Sequence, residues 1–166
     1  MTNTRTALVL IDFQAWIVRE LAPRGGRAAA NAAAVAMRQA RSDGHPVIHV
    51  QYLRLDGTDG GSGSPETRFV DGIAALPAEP LITKYGRSAF QDTELHTVLE
   101  EGRIRRVTLA GVVTEGGIEA TARSALDLGY DVCVLSDAVA GHTPAGHADA
   151  INRLARIGVD IHGRQG

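Results

Sequence analysis

Cysteine is nearly missing from this sequence: Cys133 stands alone among 166 residues. A single thiol excludes an intrachain disulfide and a zinc site built from cysteines. It sits mid-strand in "DVCVL", where an inert buried thiol is expected rather than a nucleophile. No run of about 18 apolar residues exists, so no membrane span is expected. Positive charge is not in excess either: 17 Lys and Arg against 19 Asp and Glu give a net charge of −2 and a pI near 6.3. That balance leaves no electrostatic footprint for nucleic acid. The cluster of Arg103, Arg105 and Arg106 lies among acidic neighbours at a turn. The chain start shows no basic, apolar and cleavage-site pattern, which gives the expectation of a cytoplasmic protein.

What is present suits one compact domain over 1–166 with a sizeable core. The hydrophobic fraction is 44%, and it falls into short β-branched runs alternating with helix-like segments. Segments 6–13, 46–53, 80–84, 106–113, 131–138 and 158–162 read as strands. The first, fourth and fifth are nearly continuous in apolar residues, as strands covered on both faces should be. Helices are expected over the alanine-rich 26–42, over 91–101 with Asp92 or Thr93 as cap, over 117–128, and after Pro144. The alternation predicts an α/β, Rossmann-like three-layer sandwich: a mostly parallel six-stranded sheet with helices on both faces. Residues 54–79, with "LDGTDGGSGSPETR", read as a long surface loop, either a binding segment or disordered.

Ligands of open α/β sheets bind beyond the carboxyl ends of the strands. Asp12 falls at the end of the first strand, Lys84 at the end of the third, and Thr114–Gly117 after the fourth. Asp137 is placed at the end of the fifth. A carboxylate, an ammonium and a backbone-rich helix start thus share one side of the sheet. The paired glycines Gly116 and Gly117 do not make a phosphate loop. The G-x-x-x-x-G-K-[ST] pattern meets Gly117 where its lysine belongs, and no glycine follows the first strand in "IDFQAW".

These residues carry a resemblance. "ALVLIDFQ", the run from "KYGRSAFQDTELHTVLEEGRIRR" through "VTLAGVVTEGGIEATARSALDLGYDVCVLSDAVAG", and "GHADAINRL" resemble the isochorismatase-like (cysteine hydrolase) superfamily over nearly the whole chain outside 54–79. In most of that superfamily the turn is G-x-x-T-x-x-C, with the cysteine as nucleophile and an Asp and a Lys beside it. Asp12 and Lys84 match, and Gly117 occupies the cysteine position. True isochorismatases also carry glycine there and hydrolyse a vinyl ether without a covalent intermediate. Their turn resembles G-V-Y-A-H-x-G, however, and here Val113, Thr114 and Glu115 replace Tyr, Ala and His.

The resemblance implies a hydrolase acting on a small polar metabolite by acid–base chemistry, with Asp12, Lys84 and Gly117 at its centre. Gln14, Tyr52, Phe90, Val113, Thr114 and Glu115 are the candidate substrate-binding residues. Phe13, Trp16 and Tyr85 are further pocket candidates. Glu115 could activate water or be a solvated turn residue. The resemblance also implies a non-proline cis peptide at Val112–Val113, backbone N–H groups of Val113 and Gly117 facing a developing oxyanion, and a homo-oligomer, dimer or tetramer. No cofactor is implied. The metal site of the nicotinamidase branch has no counterpart, because His49 lies inside a strand, Asp56 and Asp59 lack a following histidine, and His142 and His147 lie in another loop. Two alternatives stay open: a pseudoenzyme that binds a small ligand or partner, and a nucleophile-less relative of the amidases.

Overall fold

The computed structural model describes residues 4–163 apart from 22 and 24. Six strands form one parallel sheet: β1 (Thr6–Ile11), β2 (Val47–Tyr52), β3 (Leu81–Lys84), β4 (Arg106–Val112), β5 (Asp131–Ala140) and β6 (Asp160–His162), in the order β3-β2-β1-β4-β5-β6. The expected α/β architecture is thus the one observed. Because β1 has period-two side chains, Ala7, Val9 and Ile11 enter one apolar layer, while Leu8 and Leu10 enter the other. The first layer packs under α3 (Leu95–Glu101), α4 (Glu119–Asp127) and α5 (Pro144–Arg156); the second packs under α1 (Ala15–Leu21) and α2 (Gly26–Ser42).

Helix α2 matches its expected span because alanine forms helix readily and its small side chains let the helix lie close to the sheet. Ala29, Ala30, Ala33, Ala34, Met37 and Ala40 form its buried stripe. Two spans differ from expectation for identifiable reasons. Helix α3 begins only at Leu95, because Asp92 takes a left-handed φ of 53° and the Thr93 hydroxyl donates to Ala89 O at 2.5 Å. Strand β5 runs on to Ala140 through a register shift against β4, so Asp137 lies exposed within the strand instead of ending it. Helix α1 has no counterpart in the sequence reading. Its seven residues are too few to show periodicity, and its first N–H groups are satisfied from outside: Ala15 N donates to Arg68 O at 2.9 Å and Trp16 N to Glu66 O at 3.1 Å.

The 54–79 segment is a folded loop. Ile73 and Thr67 are buried within it. The Thr67 hydroxyl donates to Gly61 O at 2.6 Å. At its far end Glu79 accepts from Arg41 Nε at 2.7 Å and from Leu76 N at 2.8 Å, and it meets His49 Nε2 at 3.0 Å. Strand order reverses direction at β1/β4, and the crevice there is where an open sheet places its ligand.

Candidate active site

Strand β1 ends because Asp12 turns into the left-handed region at φ 58°, a conformation that costs a non-glycine residue about 1–2 kcal/mol. It is held there by Asp12 N donating to Val50 O at 3.0 Å and by Gln14 N donating to Asp12 O at 2.7 Å. The carboxylate reaches Lys84 at the end of β3: Oδ2 lies 2.9 Å from Nζ. Lys84 also donates to Arg87 O at 2.9 Å and to Gly86 O at 3.3 Å. Asp12 is 5% exposed and Lys84 2%. One carboxylate oxygen is left over: Asp12 Oδ1 is buried without a partner among the described residues.

Burial pushes the Asp12 carboxyl up to about 6, outweighing the opposing pull of the adjacent Lys84 ammonium. The short ion pair and the raised pKa pull in opposite directions. Burial prevails because ionising a carboxylate shut off from water costs more than one partner returns.

The turn after β4 closes the third side. Its Val112–Val113 peptide is cis, at the position the resemblance implies, and the helical turn of Thr114–Ile118 is broken at Gly116. A Cβ placed on Gly117 would lie 3.2 Å from Lys84 Nζ, 3.4 Å from Arg87 O and 3.6 Å from Asp12 Oδ2. Asp12, Lys84 and Gly117 therefore converge on one point, where a side chain at Gly117 would fit only if the flexible Lys84 ammonium gave way by a few tenths of an ångström. They open into a cleft of about 370 Å³ that Val113, Tyr52, Trp16 and Tyr85 also line. The Lys84 ammonium lies 5.5 Å from the Tyr52 ring centroid.

Five other candidates lie elsewhere. Gln14 is buried, its amide donating to Tyr52 O at 2.8 Å and accepting from Tyr52 N at 2.7 Å; it fixes the Tyr52 backbone rather than facing the cleft. Phe90 stacks on Tyr130 at 6.0 Å, and Phe13 is fully buried in the core. Thr114 is fully buried, its hydroxyl 2.9 Å from His147 Nδ1. Burial pushes that imidazole below its usual pKa. Glu115 turns behind the site, where Oε1 accepts from His142 N at 2.7 Å. A Cβ on Gly141 would collide with Glu115 Oε2, so the glycine makes room for this carboxylate.

Glu20, Arg87 and His142 line the cleft as well; the sequence offers no signal for Glu20 or Arg87, and His142 enters there only as a potential metal ligand. Glu20 sits on the unforeseen α1. Arg87 follows Lys84 by three in a turn, and His142 reaches the cleft only through the β5–α5 connection that Glu115 ties down. Among the described residues, no three His, Cys, Asp or Glu side chains gather as metal ligands. No described helix is long and apolar enough to cross a membrane.

The sequence pattern of the Isochorismatase domain matches residues 6–165. The uncharacterized isochorismatase family protein YddQ of Bacillus subtilis is 32% identical over 147 residues, which cover 83% of this chain and 79% of that protein. Maleamate amidohydrolase of Pseudomonas putida is 30% identical over 153 residues, covering 81% and 72%. The crystal structure of an isochorismatase-like hydrolase from Alkaliphilus metalliredigens superimposes with a TM-score of 0.88 at 26% identity, over 96% of this chain and 92% of that one.

Proposed function

Because this chain belongs to the isochorismatase family, we propose that it is a hydrolase of a small polar metabolite, working by non-covalent acid–base chemistry on an enol ether. The observation that carries this is the Asp12 carboxyl, buried, short of one partner and pushed up to about 6. With that value roughly a tenth of the molecules hold Asp12 protonated at pH 7. A general acid is thereby available near neutrality, in a place where bulk acid is not.

The chemistry follows from the groups at the point of convergence. Protonated Asp12 delivers its proton to the terminal carbon of the enol ether, and the carbon–oxygen centre becomes an oxocarbenium ion. Water adds to that ion and releases a proton, which restores Asp12. The resulting hemiketal collapses to a keto acid and an alcohol. No bond to the protein forms, so Gly117 is sufficient where a nucleophile would otherwise stand. Lys84 holds the ionised Asp12 between turnovers and offsets negative charge on a substrate carboxylate. The test is pyruvate release from isochorismate, coupled to lactate dehydrogenase. Release by the wild type that disappears in Asp12→Asn supports the proposal; equal release by both sinks it.

A second reading has its own support. Thr114 follows the cysteine-hydrolase pattern, the space beside Gly117 lies within 4 Å of both Lys84 Nζ and Asp12 Oδ2, and one relative is a maleamate amidohydrolase. In this reading the chain is a nucleophile-less amidase relative that binds its ligand without turning it over. Maleamate hydrolysis gained in Gly117→Cys favours it, and no gain alongside pyruvate release in the wild type removes it. In either reading we expect a dimer or tetramer, which sedimentation equilibrium tests.

A further inference from the structure

Thr114 lies in the turn that walls the cleft, between Val113 and Gly117. It is fully buried, and its hydroxyl has one partner among the described residues, His147 Nδ1 at 2.9 Å. His147 is fixed near the start of α5. His147 N donates to Thr143 O at 3.0 Å, and the Thr143 hydroxyl caps the helix by accepting from Gly146 N at 2.9 Å. Helix and turn come close because Gly141 has no side chain: a Cβ there would meet His147 N and Cβ at 3.0 Å.

A neutral imidazole has one nitrogen that donates and one that accepts. If Nδ1 carried the hydrogen, it would donate to Thr114 Oγ1 and leave the buried hydroxyl proton with no acceptor. The bond therefore runs the other way: Thr114 donates, Nδ1 accepts, and the ring hydrogen sits on Nε2. A second proton on the ring would make Nδ1 a donor and reverse this bond. Among the charged groups on the elements packed against α5, Glu115 of the turn pulls on His147, and its Oε2 is buried and unpartnered among the described residues. The others have partners of their own. Glu119 of α4 pairs with Arg123 at 3.7 Å and with Arg153 at 3.0 Å, and Asp160 of β6 pairs with Arg106 at 2.7 Å.

We propose that His147 is a positioning residue: through Thr114 it holds the turn that walls the cleft, and it does so only as the neutral imidazole, so that acid releases the turn and slows the reaction. The proposal rests on Asp12 and this turn forming the reaction site. Burial favours the neutral ring and Glu115 opposes it, which sets the release below the ordinary 6.5 of a histidine. With Asp12 as the acid, kcat/KM then has two limbs. One falls as pH rises through about 6, for Asp12, and the other falls in acid, for His147.

The test is the acid limb of kcat/KM for pyruvate release from isochorismate. His147→Ala, with no acceptor for Thr114, should lower kcat/KM roughly tenfold at pH 7. His147→Asn, whose amide oxygen can take the place of Nδ1 without titrating, should restore most of that loss and show no acid limb. Glu115→Gln should keep the limb and move it to lower pH, because the pull on the ring proton is gone. An acid limb that persists in His147→Asn overturns the proposal and assigns the limb to Asp12 as a base. A second readout needs no substrate. In Asp12→Asn, the amide resonances of Val113 and Gly117 should shift with the midpoint of the His147 ring, and Thr114→Val or His147→Asn added to it should abolish that step. Amides that stay flat through the midpoint, or a ring with its hydrogen on Nδ1 at pH 8 by nitrogen-15 NMR, overturn the proposal. A wild type that releases no pyruvate sinks the acid–base reading, while these resonances still decide the role of His147.

Discussion

Two clusters of buried charge flank β2, and they have opposite characters. At one end of the sheet Asp12 and Lys84 form a pair 2.9 Å apart. Near the other, Glu79 gathers Arg41, His49 and the Leu76 N–H. Burial works against both carboxylates. In Glu79 the hydrogen bonds from Arg41, Leu76 and His49 together outweigh burial and hold the pKa at about 2. Asp12 has only Lys84 to oppose burial, keeps an oxygen with no partner, and rises to about 6. The Glu79 cluster, whose carboxylate is fully partnered although His49 Nδ1 is not, fastens the end of the 54–79 loop to β2 and α2. The Asp12 pair keeps a proton ready to move. Buried charge alone does not mark a site; a carboxyl that faces a cleft and whose pKa burial has raised is the stronger sign.

Replacing the two carboxylates by their amides separates these characters most sharply. Asp12→Asn should lower turnover by roughly 10²–10⁴-fold, the range for loss of a general acid, with the protein still folded by circular dichroism. Glu79→Gln should leave the kcat of the folded enzyme nearly unchanged. It should cost about 2–3 kcal/mol of stability, just below the range for a fully buried broken ion pair, because Arg41 keeps a quarter of its side chain exposed. The matching fall in melting temperature is about 5–10 °C. A Glu79→Gln enzyme that is stable but slow would erase the distinction.

Proton linkage separates the clusters a second time. If Asp12 acts as an acid, kcat/KM falls as pH rises through about 6; if it acts as a base, kcat/KM falls as pH drops through the same value. Stability carries contributions from both clusters: Asp12, with its folded pKa raised, stabilises progressively as pH falls through about 6 and loses that contribution as pH rises through it. Glu79 has a folded pKa below its ordinary 4.5, so its contribution is complete above pH 4.5 and is lost as pH falls through about 2. Burial holds His49 below its ordinary 6.5, against the pull of Glu79. Its contribution is therefore lost as pH drops below 6.5, where the unfolded chain takes up the proton. Urea midpoints measured from pH 8 to pH 3 in Asp12→Asn, where the opposing contribution of that carboxyl is gone, should decline first through the His49 range below 6.5 and then through the Glu79 range below 4.5.

The smallest effect is expected at Glu115. Its carboxylate holds His142 N from behind the site, so Glu115→Gln should change kcat/KM only a few-fold, because an amide oxygen can still accept that bond. A loss near 10²-fold would show Glu115 to be the base for water, and the charge left out of the first comparison would then belong to the chemistry.

The sequence made the sheet legible because the strands are short, apolar and separated by helix-length segments, and that pattern fixes which ends carry Asp12 and Lys84. It made Gly117 conspicuous because a motif surrounded it. Helix α1 was not legible: its N-terminal groups are satisfied by loop carbonyls some fifty residues away, and no local signal records that. Glu20 and His142 stayed hidden as cleft residues for a similar reason, since each reaches the cleft by a tertiary route, whereas Arg87 lies in the local turn after Lys84 with no motif to single it out. Gln14, Thr114 and Glu115 lie next to the right places in sequence, but their polar groups turn to Tyr52, His147 and His142 instead. Asp137 was misplaced because a register shift carries β5 past it.

The most direct test of the acid–base account is the titration of Asp12 itself, followed by carbon-13 NMR of the side-chain carboxyls with Asp12→Asn to assign the resonance. The account predicts a midpoint near 6 for Asp12, while Glu79 stays ionised down to about pH 2. A midpoint for Asp12 below 4 would contradict it, because the carboxylate would then be a paired structural anion with no proton to give near neutrality.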